Sequence, residues 1–147
     1  VSQTLRLYSR HIFCVGRHTA KMKMLSLFDI PTVPAGSDVE GNADIVVDAT
    51  GKPEGLHQAL SLVRPEGTIV LKTTCADPLA LESSLAVVNE VRILGSRCGP
   101  FRPAIEALAM GTVEPRPMIT AAFPLVDAVH AMNCAQEPGA MKVLLHI

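Results

Sequence analysis

The chain has 147 residues, the size of one domain with a single core. It is 48% hydrophobic and 18% charged, which excludes a disordered chain, and with no Trp, one Tyr and four Phe the core must be aliphatic. A formal net charge of −1 supplies no general pull toward phosphate backbones, so nucleic acid is not expected as a main partner.

Val1, Leu5 and Tyr8 fall at i, i+4 and i+7 of a helix already under way at the first residue, so the chain reads as a fragment. "HIFCV" is a short apolar run suited to a doubly buried strand. Thr19 is placed to cap a helix through "AKMKMLSLF", where Met22, Leu25 and Phe28 repeat at three-residue steps. Residues 29–42 carry Pro31, Pro34, Gly36 and Gly41 and hold at most a short strand around "PTVP".

The second half is more regular. "ADIVVDATG" predicts a strand that stops at Gly51, and Pro53 suits the first turn of a helix whose face is Leu56, Ala59, Leu60 and Val63. "RPEG" is expected to end that helix before the strand "TIVLKTT". A helix from about Leu79 to Val88 leads to the strand "VRILGSR", and a helix from Pro103 to Met110 closes on Gly111. "MITAAF" reads as extended, Leu125 to Ala135 as an amphipathic helix and "MKVLLHI" as a last strand. Apolar strands alternating with helices predict an α/β fold with a doubly wound, Rossmann-like parallel sheet.

No apolar run is long enough for a bilayer and no signal sequence opens the chain, so no membrane partner is expected. Cys14, Cys75, Cys98 and Cys134 are scattered, with no Cys-x-x-Cys, His-Glu-x-x-His or short Cys/His cluster, which gives a metal site no support. They read as small core residues in a reducing compartment, the cytoplasm.

Ligands of such sheets bind outside the carboxyl ends of the strands. Gly16 leaves room for a ribose, and Arg17, His18 and Lys21 offer donors to a phosphate; a solvated basic loop explains them equally. Ala49, Thr50 and Gly51 suit either a cofactor lying across the strand tip or a tight turn. Asp48 needs hydrogen-bond partners, whether it serves a ligand or caps the helix near Pro53. Lys72 either snorkels to an edge or faces a ligand, beside Thr73 and Thr74. Arg97 follows "LGS" at a strand end, where a basic group could face a bound ligand, such as the nicotinamide side of a dinucleotide, or a neighbouring subunit. No Ser/His/Asp or Cys/His arrangement emerges, so no catalytic residue is assigned.

The blocks "ADIVVDATGKPEGLHQALSLVRPEGTIVL", "VRILGSRCGPFRPAIEALAMGTVEPRPMI", "FPLVDAVHAM" and "GAMKVLL" resemble the second half of zinc-type alcohol dehydrogenases of the medium-chain dehydrogenase/reductase superfamily. The resemblance covers nearly the whole chain. It implies the C-terminal part, residues 1–147, of a domain that binds NADP or NAD, beside a separate zinc-bearing catalytic domain absent from this sequence. It places Gly16, Arg17 and His18, with Lys21 beside them, at the adenosine ribose, Thr50 and Gly51 along the adenosine side, and Lys72, Thr73 and Thr74 near the nicotinamide half. It also implies a homodimer through strand 91–97. No two glycines are spaced Gly-x-Gly, so the first strand and glycine-rich loop of that family are missing. The strands flanking the missing one, which end at Val15 and Asp48, are expected to pair with each other or with a partner chain. The expected activity is that of the parent, NAD(P)-dependent interconversion of an alcohol and a carbonyl, with the fragment itself inactive. Arg17 and the lack of an acidic residue after Val15 favour NADP. The alternatives are a truncated, non-catalytic oligomerising module and an S-adenosylmethionine-dependent methyltransferase.

Overall fold

A computed structural model of the chain describes residues 1–75, 77, 78 and 80–147. The elements run α1 (Ser2–Arg6), β1 (Cys14–Gly16), α2 (Thr19–Leu25), β2 (Thr32–Pro34), β3 (Ala43–Asp48), α3 (Glu54–Leu62), β4 (Val63–Leu71), α4 (Ser83–Val88), β5 (Arg92–Gly95), α5 (Phe101–Ala109), β6 (Ile119–Pro124), α6 (Ala128–Gln136) and β7 (Lys142–His146). They form two compact units, Asp38–Gly99 and Val1–Ser37 with Pro100–Ile147.

In the Asp38–Gly99 unit, β3, β4 and β5 form a parallel sheet in that order, with Val46 opposite Ile69 and Ile69 opposite Ile93. The apolar face of α3 supplies Leu56, Ala59 and Leu60, which pack with Val63 around the fully buried Ile69. Val46, Leu71, Ala86, Val91 and Ile93 close the edges of this cluster. "RPEG" does more than end α3. The strand already begins at Val63, opposite Ala43, and the register then jumps so that Thr68 lies opposite Ile45. Residues 64–67 form the resulting bulge, with Glu66 at φ 61°. A Cβ on Gly67 would run into Val63 and the Arg64 carbonyl, so only glycine fits there.

In the other unit, β1 pairs in parallel with β2 and β6 with β7. α6 crosses between β6 and β7, burying Ala131, and the His130 ring stands edge-on to Phe123 at 5.1 Å. Ile30 is buried after α2, its N–H donated to the Leu25 carbonyl at 3.1 Å. α1 is tied by the Gln3 amide, which donates to the Glu114 carbonyl at 2.9 Å and accepts the Glu114 N–H at 2.6 Å.

The parallel α/β architecture agrees with the sequence, but several details are corrected. β1 takes β2 as its ladder partner and β3 takes β4 among the described residues, so the strands ending at Val15 and Asp48 do not pair with each other. Thr19 is the first residue of α2, not its cap; His18 holds the cap position without a side-chain bond. α5 starts at Phe101, two residues early, because Pro103 is tolerated in a first turn whose N–H groups have no helical acceptor. The expected helix start at Leu79 lies outside the described residues; α4 is described from Ser83. The strands are not uniformly buried: Ile45 on β3 is 62% exposed and Leu94 on β5 54%. The cysteines are all free, three half-buried and Cys98 exposed, so none is a core residue.

Candidate nucleotide site

At the carboxyl end of β3, the chain turns through Asp48, Ala49, Thr50 and Gly51 before α3. Asp48 is only 3% exposed. Its Oδ1 accepts the Thr50 N–H at 2.9 Å and the Thr50 hydroxyl at 2.8 Å. It therefore caps the turn, whereas α3 begins after Pro53 with no side-chain cap. The second oxygen, Oδ2, is buried and has no hydrogen-bond partner among the described residues. The Asp48 carbonyl accepts the N–H groups of Lys72 and Thr73 at 2.8 and 3.1 Å, which fixes the tip of β4 beside that of β3.

Gly51 has φ +69°, a conformation that strains any other residue, and a Cβ there would point into open space. Its N–H donates to Thr73 Oγ1 at 3.2 Å. Thr50 Oγ1 also accepts the Lys52 N–H at 3.2 Å. Gly55, one residue inside α3, was not singled out by sequence, yet its position is demanding: a Cβ would collide with the Asp48 carboxylate and the Thr50 hydroxyl. The signal available was a lone glycine inside a helical pattern, "KPEGL".

Lys72 does not reach outward. Its ammonium donates to the carbonyls of Arg97 at 2.9 Å and Ser96 at 3.4 Å, tying the tips of β4 and β5. Carbonyls satisfy its donors without neutralising its charge. Thr73 is half-buried and Thr74 exposed.

In the other unit, Gly16, Arg17, His18 and Lys21 line one shallow cavity of ≈ 140 Å³ floored by Met22 and Leu25. The Gly16 carbonyl accepts the Ala35 N–H at 2.8 Å, and a Cβ on Gly16 would meet Met22 Cγ at 3.0 Å. Arg17 and His18 are exposed. The loop can therefore present a forked cation beside a bare backbone, an arrangement suited to a ribose carrying a phosphate.

Among the described residues, no three His, Cys, Asp or Glu side chains are grouped to hold a metal ion, so this chain's residues do not fit a zinc centre. Within its own unit each feature is small and open: Gly51 leaves its Cα face bare, and Gly16 stands beside a basic cavity. A Gly-x-Gly cradle for a pyrophosphate is not in the sequence. No helix among the described residues is long and apolar enough to cross a membrane.

No protein-family model matches the chain. It is similar to the sorbitol dehydrogenase of Bombyx mori, 28% identical over 106 residues that make up 71% of this chain and 30% of that protein. Among solved structures, it superposes on L-idonate 5-dehydrogenase from Escherichia coli with a TM-score of 0.87 at 18% identity, covering 98% of this chain and 45% of that one. A putative zinc-binding dehydrogenase from Sinorhizobium meliloti, bound to NADP, gives 0.87 at 24% identity over 99% of this chain and 48% of that one. The chain thus spans about a third of the curated relatives it matches and just under half of the solved ones.

Proposed function

We propose that the chain, similar to these dehydrogenases, is an alcohol dehydrogenase-like member of the medium-chain dehydrogenase/reductase superfamily, related to its zinc-type enzymes, and that residues 1–147 are the C-terminal portion of its dinucleotide-binding domain. The parent activity is interconversion of an alcohol and a carbonyl, in which the bound nicotinamide exchanges a hydride with the substrate carbon. Within this chain Gly16, Arg17, His18 and Lys21 take the adenosine ribose. Thr50 and Gly51 lie along the adenosine half, and Lys72, Thr73 and Thr74 shape the crevice toward the nicotinamide. Lys72 does so through its grip on Ser96 and Arg97. These residues bind and orient; none supplies an acid, base or metal ligand, so the chain by itself is inactive. A homodimer through the 91–97 edge and a cytoplasmic setting complete the proposal.

The single observation that carries this reading is the convergence of Gly16, Arg17, His18 and Lys21 on one cavity after a parallel strand. An exposed Arg with no neighbouring acid favours NADP over NAD, since a guanidinium forks onto a 2′-phosphate and a carboxylate would repel it. In a full-length enzyme carrying this domain, Gly16→Asp with Arg17→Ile shifts the NADP/NAD preference toward NAD. Met22→Ala is added to clear the 3.0 Å approach that an Asp Cβ would make. An unchanged cofactor ratio in an active variant contradicts the assignment.

A further inference from the structure

The Thr50–Gly51 turn uses up its own donors. The Thr50 N–H and hydroxyl go to Asp48 Oδ1, and the Gly51 N–H goes to Thr73. What remains toward open space is the Cα face of Gly51, where a side chain would have stood. Asp48 is the common point of this arrangement, because its backbone carbonyl also holds Lys72 and Thr73.

A carboxylate is a costly cap at a nearly buried site, and Asp48 also leaves Oδ2 buried without a partner among the described residues. A Ser or Asn would cap the turn at lower cost, so fold stability alone does not explain this residue. α3 also gives up a side chain at Gly55 to make room for it.

We propose that Asp48 is a positioning residue for the crevice: it locks the Thr50–Gly51 turn so that a ligand meets a bare Cα surface, read by shape and not by hydrogen bonds. The proposal rests on the nucleotide reading above for the ligand's identity, but its hold on the turn is independent of that reading.

The test uses the purified chain, followed by amide NMR, with Asp48→Asn, Asp48→Ala, Thr50→Val and the Asp48→Ala/Thr50→Val pair. Asn retains an acceptor for both Thr50 donors. It should therefore keep Thr50 and Gly51 amide protection, while Ala loses roughly tenfold and leaves Ile69 and Val70 in β4 unchanged. Wild-type protection of both turn amides in Asp48→Ala overturns the proposal. With NADPH as the probe, Asp48→Ala and Thr50→Val should each weaken binding by roughly tenfold, and the double variant should lose no more than either. Additive losses contradict an action of Asp48 through Thr50. If Asp48→Ala does not fold, Thr50→Val alone is read by amide exchange: lost protection at Thr50 and Gly51 with Ile69 and Val70 unchanged supports the proposal, and wild-type protection of both turn amides opposes it. If NADPH moves no turn amide in the wild-type chain, the nucleotide reading fails, and the exchange measurements still decide whether Asp48 holds the turn.

Discussion

Glu114 and Arg116 form a close charge pair. The Arg116 guanidinium and backbone N–H both donate to the Glu114 carboxylate, and this holds its pKa down to about 2 from an ordinary 4.5. The lowered pKa means that the pair's contribution is present above about pH 4.5 and is lost as pH falls toward 2. Arg116 is exposed and Glu114 half-buried, so solvent screens the pair and the effect is local. The Glu114 carboxyl carbon should titrate near 2 by NMR and return toward 4.5 in Arg116→Ala; a midpoint unchanged by that substitution refutes the pairing. Gly55 offers a second test. Alanine would favour α3 by up to ~1 kcal/mol through helix propensity, but its Cβ has no room beside Asp48 and Thr50. The clash should win, lowering unfolding stability by about 1–3 kcal/mol in a denaturant titration; a stabilised variant would show that the contact relaxes freely.

At the level of elements, β3, α3 and β4 were legible because their apolar positions repeat with a clear period and Ile69 sits where both patterns meet. The "RPEG" bulge was not, since Pro and Gly after a helix signal a stop as readily as a bulged strand start. Asp48 was visible as a buried carboxylate, but an Asp five residues ahead of a Pro looks alike whether it caps the helix or its own turn. Burial was the least legible property: an apolar strand states what must be covered, not what covers it. Leu94 on β5 shows the difference, being apolar and 54% exposed on a strand with a single ladder partner, β4, among the described residues. An unpaired edge invites a second copy. Light scattering should give twice the chain mass for the wild type and a shift toward the single-chain mass for Leu94→Lys, whose charges would face each other. A monomeric wild type refutes pairing at that edge.

At the scale of the whole molecule, large apolar side chains such as Phe101, Val126 and Val129 stand exposed. Apolar side chains left to solvent are where a partner surface would settle, and the chain spans about a third of the curated relatives it matches. The sequence holds no Gly-x-Gly loop to grip a pyrophosphate, so the proposed nucleotide would be held without that cradle. The most direct test is a titration of NADPH into the purified chain, followed together by nucleotide fluorescence and amide shifts. Weak binding is predicted, well short of low-micromolar saturation, with the shifts confined to Gly16, Arg17, His18, Lys21, Thr50, Gly51 and the Lys72–Thr74 segment. Saturation in the low micromolar range, or shifts that leave those residues untouched, would contradict the account.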